Sequence, residues 1–172
     1  MIETPALPSR DGDRIWTGEP PDAYARPDLY DGVVFRRVLA YCVDALIVAA
    51  LIVVLWLILA VAGLLTFGLL WWFTPALALV PIAYDTVLIG GPHSATFGMR
   101  LLGIEVRSRN GGRPDWILAL IFSLLFHATM AIFWGAPLLI CFFNSRRRTA
   151  HDFLSNTVVV RRSAALAAVG IA

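Results

Sequence analysis

The sequence predicts an α-helical integral membrane protein with two full transmembrane helices, a third hydrophobic helical unit and a small cytoplasmic cap. Three observations predict it. Apolar residues make up 59% of the 172 residues, above the roughly half of soluble domains. They gather in three runs, 38–65, 69–89 and 116–143, each longer than the roughly 20 residues that cross a bilayer. Arginines lie outside these runs, as they do in loops kept on the cytoplasmic side.

Residues 1–34 hold five prolines among scattered acids and glycines without periodicity. This is the composition of a flexible tail. It lacks the apolar core of a signal peptide, so the first hydrophobic run is expected to act as its own insertion signal. The transmembrane domain is assigned to 35–162 and a C-terminal tail to 163–172.

Gly63, Thr66 and Gly68 mark a turn that makes a helical hairpin of the first two runs, with Trp71 and Trp72 as an interfacial anchor. That turn carries no basic residue. Arg36 and Arg37 precede the first helix, while Arg100, Arg107, Arg109 and Arg113 follow the second. The N-terminus and the 90–115 segment are therefore expected in the cytoplasm of a multi-pass cell-membrane protein.

The third run is followed by Arg146, Arg147, Arg148, Arg161 and Arg162, which also argue for the cytoplasm. One straight crossing would put them outside. The unit is either a broken hairpin that returns at Gly135-Ala136-Pro137 or a third span that violates the charge rule. Charge favours the return and a cytoplasmic C-terminus. Ile104–Val106 and the β-branched 157–160 segment are expected to pair as two strands of the cap, because a lone strand cannot satisfy its backbone.

The net charge of +2 and the absence of a basic helix exclude a nucleic-acid surface. Cys42 and Cys141 have no metal-ligand spacing and read as small buried thiols. No nucleophile elbow, phosphate-binding glycine loop or His-Glu-x-x-His motif occurs, so neither enzyme chemistry nor a cofactor is expected.

Three segments resemble the RDD family, small bacterial membrane proteins named for one arginine and two aspartates. FRRVLAYCVDALI resembles the family's first helix, with Arg37, Ala40 and Asp44 in register. SATFGMRLLGIEV resembles its Gly-Gln-Thr-x-Gly-Lys-Arg segment at Thr96, Gly98, Arg100, Leu101, Leu102, Gly103 and Val106. Here Ala95 and Met99 replace the glutamine and the lysine. RRRTAHDFLSNTVVV resembles the closing segment, through His151, Asp152, Thr157 and Val159, with Asp152 as the second name-giving aspartate. The resemblance covers about residues 35–160. It implies a polytopic membrane protein, with transport of unidentified ligands suggested for the family and cation/proton exchange for some members.

The charged positions inside apolar sequence are the candidate sites. Arg37 and Asp44 fall within about 20° on one helical stripe but about 10 Å apart along the axis. Arg37 is expected to snorkel toward the headgroups. Asp44 then needs a partner on another segment, and Arg100, His127 and His151 are the candidates. As an intramembrane acid it is either a packing brace or a proton or cation site. Asp85, near the cytoplasmic end of the second helix, reads as a snorkelling interfacial acid or an ion ligand. His127 is a packing histidine or a group that titrates near neutral pH. Asp152 is expected to cap local backbone or pair with an arginine. Arg146, Arg147 and Arg148 suit anionic lipid headgroups. So small a helical unit encloses little volume, so a homo-oligomer or a partner membrane protein is expected. The functional alternatives are transport and a non-transporting scaffold.

Overall fold

The structure is a computed structural model that describes residues 14–16, 18–133, 152 and 154–168. A short helix, α1 (Pro27–Tyr30), leads into α2 (Val33–Leu65). At about 1.5 Å per residue the 33 residues of α2 reach about 50 Å, well past a hydrocarbon core of about 30 Å. Its first turns accordingly belong to the cap. Val33 and Ala40 share one apolar cluster with Ile104, Val106 and Val159.

The chain reverses at Thr66–Gly68, where Phe67 and Gly68 take positive φ (53° and 89°). The Trp71 ring covers Gly63, leaving no room there for a Cβ. The second run, Leu69–Ile89, is helical throughout and long and apolar enough to cross a membrane, as is the segment ending at Leu65. Its first half, Leu69–Leu79, is 3₁₀ rather than α. Pro75 lies inside it, and a proline cannot donate the bond an α-helical turn requires. The longer 3₁₀ rise gives that half about 22 Å, and α3 (Val80–Ile89) adds about 15 Å.

After the bend at Gly90 come α4 (Phe97–Leu101), β1 (Ile104–Ser108), α5 (Trp116–Phe133), β2 (Thr157–Arg161) and α6 (Arg162–Ala168). The expected strand pair exists. β1 and β2 run antiparallel with Val106 opposite Val159 and Glu105 opposite Val160. Alternation divides the sheet between two layers. Ile104, Val106 and Val159 face the helices, against Ile89, Ala119 and Phe122. Val158 and Val160 face away, against Leu29, Tyr30 and Ala165. Glu105 and Arg107 share that outer face, both buried, and satisfy each other through Arg107 Nη2 and Glu105 Oε1 at 2.5 Å.

The described part of 1–34 packs on the cap instead of standing off it. Leu29 and Tyr30 are buried, the Trp16 indole donates to the Arg109 carbonyl at 2.7 Å, and the Tyr30 hydroxyl donates to the Pro21 carbonyl at 2.9 Å. These are single anchors without periodicity, so no sequence pattern announces them. The segment from 163 likewise begins as helix, with Ala165 in the outer cluster.

The break at Gly135-Ala136-Pro137, together with Cys141, Arg146, Arg147, Arg148 and His151, lies outside the described residues. Among the described residues on either side of it, Ala119 and Phe122 near the start of α5 share a cluster with Val159, and Asp152 pairs with Arg37. Cys42 corrects the expectation of buried thiols. It is exposed on α2, because the buried stripe runs through Val33, Arg37, Ala40 and Asp44, and Cys42 is about 160° from Asp44 around the helix.

Candidate functional site

The stripe on α2 is spaced four, three, four, which keeps one face of a helix turned to one neighbour. It carries two of the charged candidates inward, and each ends in a different clasp.

Arg37 does not snorkel. Its Nη1 donates to Asp152 Oδ2 at 2.5 Å, with side chains only 8% and 0% exposed. The pair joins α2 to the residues just before β2. The reason for the correction is the cap, which covers this turn of α2 and removes the water that a snorkelling side chain seeks. Arg37 Nε and Nη2 are buried without a hydrogen-bond partner.

Asp44 has no ionic partner among Arg100, His127 and, within the described residues, any other cation. Its Oδ1 accepts from the Tyr84 hydroxyl and the Gly98 amide, both at 2.8 Å, and its Oδ2 accepts from the Thr96 hydroxyl at 2.5 Å. Thr96 Oγ1 in turn accepts from the Met99 amide at 3.3 Å, capping α4. Gly98 is the residue that makes this approach possible. A Cβ there would stand 2.8 Å from Asp44 Oδ2 and closer still to the Ala40 carbonyl oxygen. The Thr-x-Gly spacing thus supplies a hydroxyl and a bare amide to one carboxylate. His151, the third expected partner, lies outside the described residues.

Arg100 turns back on its own loop, donating from Nε to the Ala95 carbonyl at 3.0 Å. Gly103 takes φ 66°, and its carbonyl accepts from the Arg162 amide at 2.9 Å, joining the start of β1 to the end of β2. His93, exposed in the loop before α4, has its imidazole pKa held below the usual range chiefly by the positive charge of Arg100.

Asp85 is not a snorkelling interfacial acid but is 9% exposed on α3. Its Oδ2 lies 3.7 Å from His127 Nδ1 on α5, beyond hydrogen-bond range but close enough for charge to act. His127 Nδ1 is 2.9 Å from the Ser123 carbonyl oxygen, the contact a protonated Nδ1 makes. Asp44, Asp85, Arg37 and His127 all line one cavity of about 320 Å³ between α2, α3 and α5, beneath the cap. The rest of its wall is mostly apolar and aromatic, including Tyr41, Val48, Ile52, Phe122 and Phe126. From Arg37 to Ile52 it follows α2 for about 22 Å.

The sequence reading missed Tyr84 and the α5 part of the aromatic wall. Tyr84 had one signal, a polar tip next to Asp85 within an apolar run. Tyr41 flanks the Arg37–Asp44 stripe by helical angle alone, whereas Phe122 and Phe126 had no signal, since aromatics are ordinary in such runs. Among the described residues no group of three or more His, Cys, Asp and Glu could hold a metal ion.

No curated protein matches this chain, and no solved structure does. The family model described as RDD family matches residues 32–156, from the N-cap of α2 to the residue before β2. Arg37, Asp44 and Asp152, the arginine and two aspartates carried over from the motifs, are the residues that hold the two clasps. The chain belongs to the RDD family.

Proposed function

We propose that this chain is a multi-pass membrane transport protein that exchanges a proton for a cation at the cleft beneath its cap. The observation that carries the reading is the placement of Asp85. It is a buried carboxylate with no described partner closer than 3.7 Å, facing a histidine across an apolar cavity. A carboxylate so placed can hold a proton or a cation in turn, and intramembrane acids are functional candidates by default. Asp44 is assigned the other role: its oxygens already accept three hydrogen bonds, so it braces α4 against α2.

With basic segments on one side, the N-terminus, the cap and the C-terminus are proposed to be cytoplasmic. The chain is proposed to work as an oligomer or with a partner membrane protein, because the described helices α2, α3 and α5 line a cleft and enclose little volume. Anionic lipid contacts at Arg146, Arg147 and Arg148, and the lack of any bond-breaking activity, complete the reading.

A second reading has support of its own. Arg37, Asp152 and Asp44 are all used in holding the cap, as a non-transporting scaffold would use them. Proteoliposomes holding the purified protein, loaded with a pH-sensitive dye, separate the two. Transport gives cation-driven proton flux that Asp85→Asn abolishes while the protein stays folded and inserted. A folded wild-type protein without flux for any monovalent cation would favour the scaffold.

A further inference from the structure

We propose that the cargo of this cleft is a lipophilic organic cation, with its charge at Asp85 and its apolar body against the aromatic wall of α2 and α5. The inference rests on the transport reading for the word cargo, while the binding site itself rests on the lining.

Charge decides the sign of the ligand. The ionisable groups at the cavity are Arg37, Tyr41, Asp44, Asp85 and His127, with Tyr84 behind Asp44. Arg37 is matched by Asp152 at 2.5 Å. Among the described residues that leaves two carboxylates against one histidine, so an anion meets repulsion at close range and a cation meets attraction. The bare Nε and Nη2 of Arg37 do not reverse this, because the guanidinium's charge is already compensated.

Ligand count decides between inorganic and organic cations. A bare metal cation must replace several water oxygens with protein oxygens, six or more for hard divalent ions. The Asp44 oxygens are occupied by Tyr84, Thr96 and Gly98. Among the described residues Asp85 therefore stands as the carboxylate that can meet an ion, too few oxygens for one that has shed its water. An organic cation has a weakly held water shell and needs only one counter-charge.

The wall fits the rest of such a molecule. Tyr41 and Phe126 meet edge to face with centroids 5.7 Å apart, and Phe122 stacks on Phe126 within 5° at 6.5 Å. Aromatic faces attract cations through their quadrupole, most strongly where water is excluded. A volume of about 320 Å³ lies at the lower end of small-molecule sites.

The test uses the full chain purified in detergent, with radiolabelled tetraphenylphosphonium in equilibrium dialysis against protein-free micelles. Saturable binding is expected, about one per protomer, and it should be unaffected when sodium replaces potassium. Tetraphenylborate, the same shape with opposite charge, should show none. Asp85→Asn should weaken binding about tenfold or more. Ala49→Trp, which fills the cavity wall and leaves both clasps alone, should do the same if Asp85→Asn does not fold. Equal binding of the two probes, no saturable tetraphenylphosphonium binding, or full affinity in a folded Asp85→Asn variant would overturn the inference. Asp85-dependent sodium or potassium flux without tetraphenylphosphonium binding would overturn the inference and keep proton–cation exchange. Binding without flux would keep the site and remove transport.

Discussion

Removing one member of the Arg37–Asp152 pair tests the claim that this clasp fixes the cap. The pair is made at 2.5 Å with side chains 8% and 0% exposed, so neither charge can turn to water for compensation. Asp152→Asn leaves a buried guanidinium whose Nε and Nη2 already lack hydrogen-bond partners. Breaking such a pair costs about 3–5 kcal/mol. For a chain of this size each kcal/mol moves the midpoint by about 2–4 °C, so a fall of about 6–20 °C is expected. Arg37→Met alone should also lower the midpoint, because it takes the Nη1 hydrogen bond from a buried carboxylate. The double variant Arg37→Met/Asp152→Asn removes both charges at once and leaves neither buried without its counter-charge. Its midpoint should therefore lie well above the sum of the two losses, giving a coupling energy of several kcal/mol. Tryptophan fluorescence during thermal unfolding in detergent follows all four proteins, using the six native tryptophans. Additive losses, or an Asp152→Asn midpoint equal to wild type, would show that this pair does not fix the cap.

Gly98→Ala should cost about 1–3 kcal/mol as overpacking, seen as a lower unfolding midpoint. Because the obstruction at Gly98 is the main-chain oxygen of Ala40, Ala40→Gly should not restore it; a rescue would show that side-chain crowding was responsible. Asp44→Ala orphans the Tyr84 hydroxyl, the Thr96 hydroxyl and the Gly98 amide, each worth about 1–3 kcal/mol when buried unmet. Asp44→Asn, which keeps Oδ1, should lose much less, and equal losses in the two variants would remove the brace role. The His93 ring protons should titrate below the usual histidine range in NMR spectra, and Arg100→Gln should move the midpoint up. The histidine is harder to protonate in the folded state than in the unfolded chain, so its contribution to stability falls as pH drops through the unfolded pKa; a midpoint indifferent to Arg100 would contradict this. For topology, a cysteine at exposed Phe67 should react with an impermeant thiol reagent added outside intact cells, and cysteines at Tyr24 and Ser163 should not. The background is cysteine-free, and labelling at Ser163 would make the third run a single crossing.

Features that depend on composition and local pattern are legible in the unfolded chain. Run length showed where the hydrophobic helices lie, since a bilayer's thickness converts directly to residue number. Glycines at Gly63 and Gly68 located the hairpin turn. Alternation in 104–106 and β-branching in 157–160 announced the strand pair. Arg37 and Asp44 fell on one stripe by angle alone, and three motifs in order carried the family resemblance. Tertiary structure decided who meets whom, because a partner 115 positions away leaves no mark on local periodicity. Arg37 looked free to reach headgroups until β1, β2 and Asp152 covered the first turns of α2. Asp44 looked stranded in hydrocarbon and in need of an arginine. In the fold it lies just beneath a protein cap, where a tyrosine, a threonine and one main-chain amide satisfy it without any positive charge. Asp85 looked wet, and the meeting of α3 with α5 buried it beside His127. Burial and hydrogen bonding are sums over neighbours from distant segments, and only the folded chain supplies those neighbours.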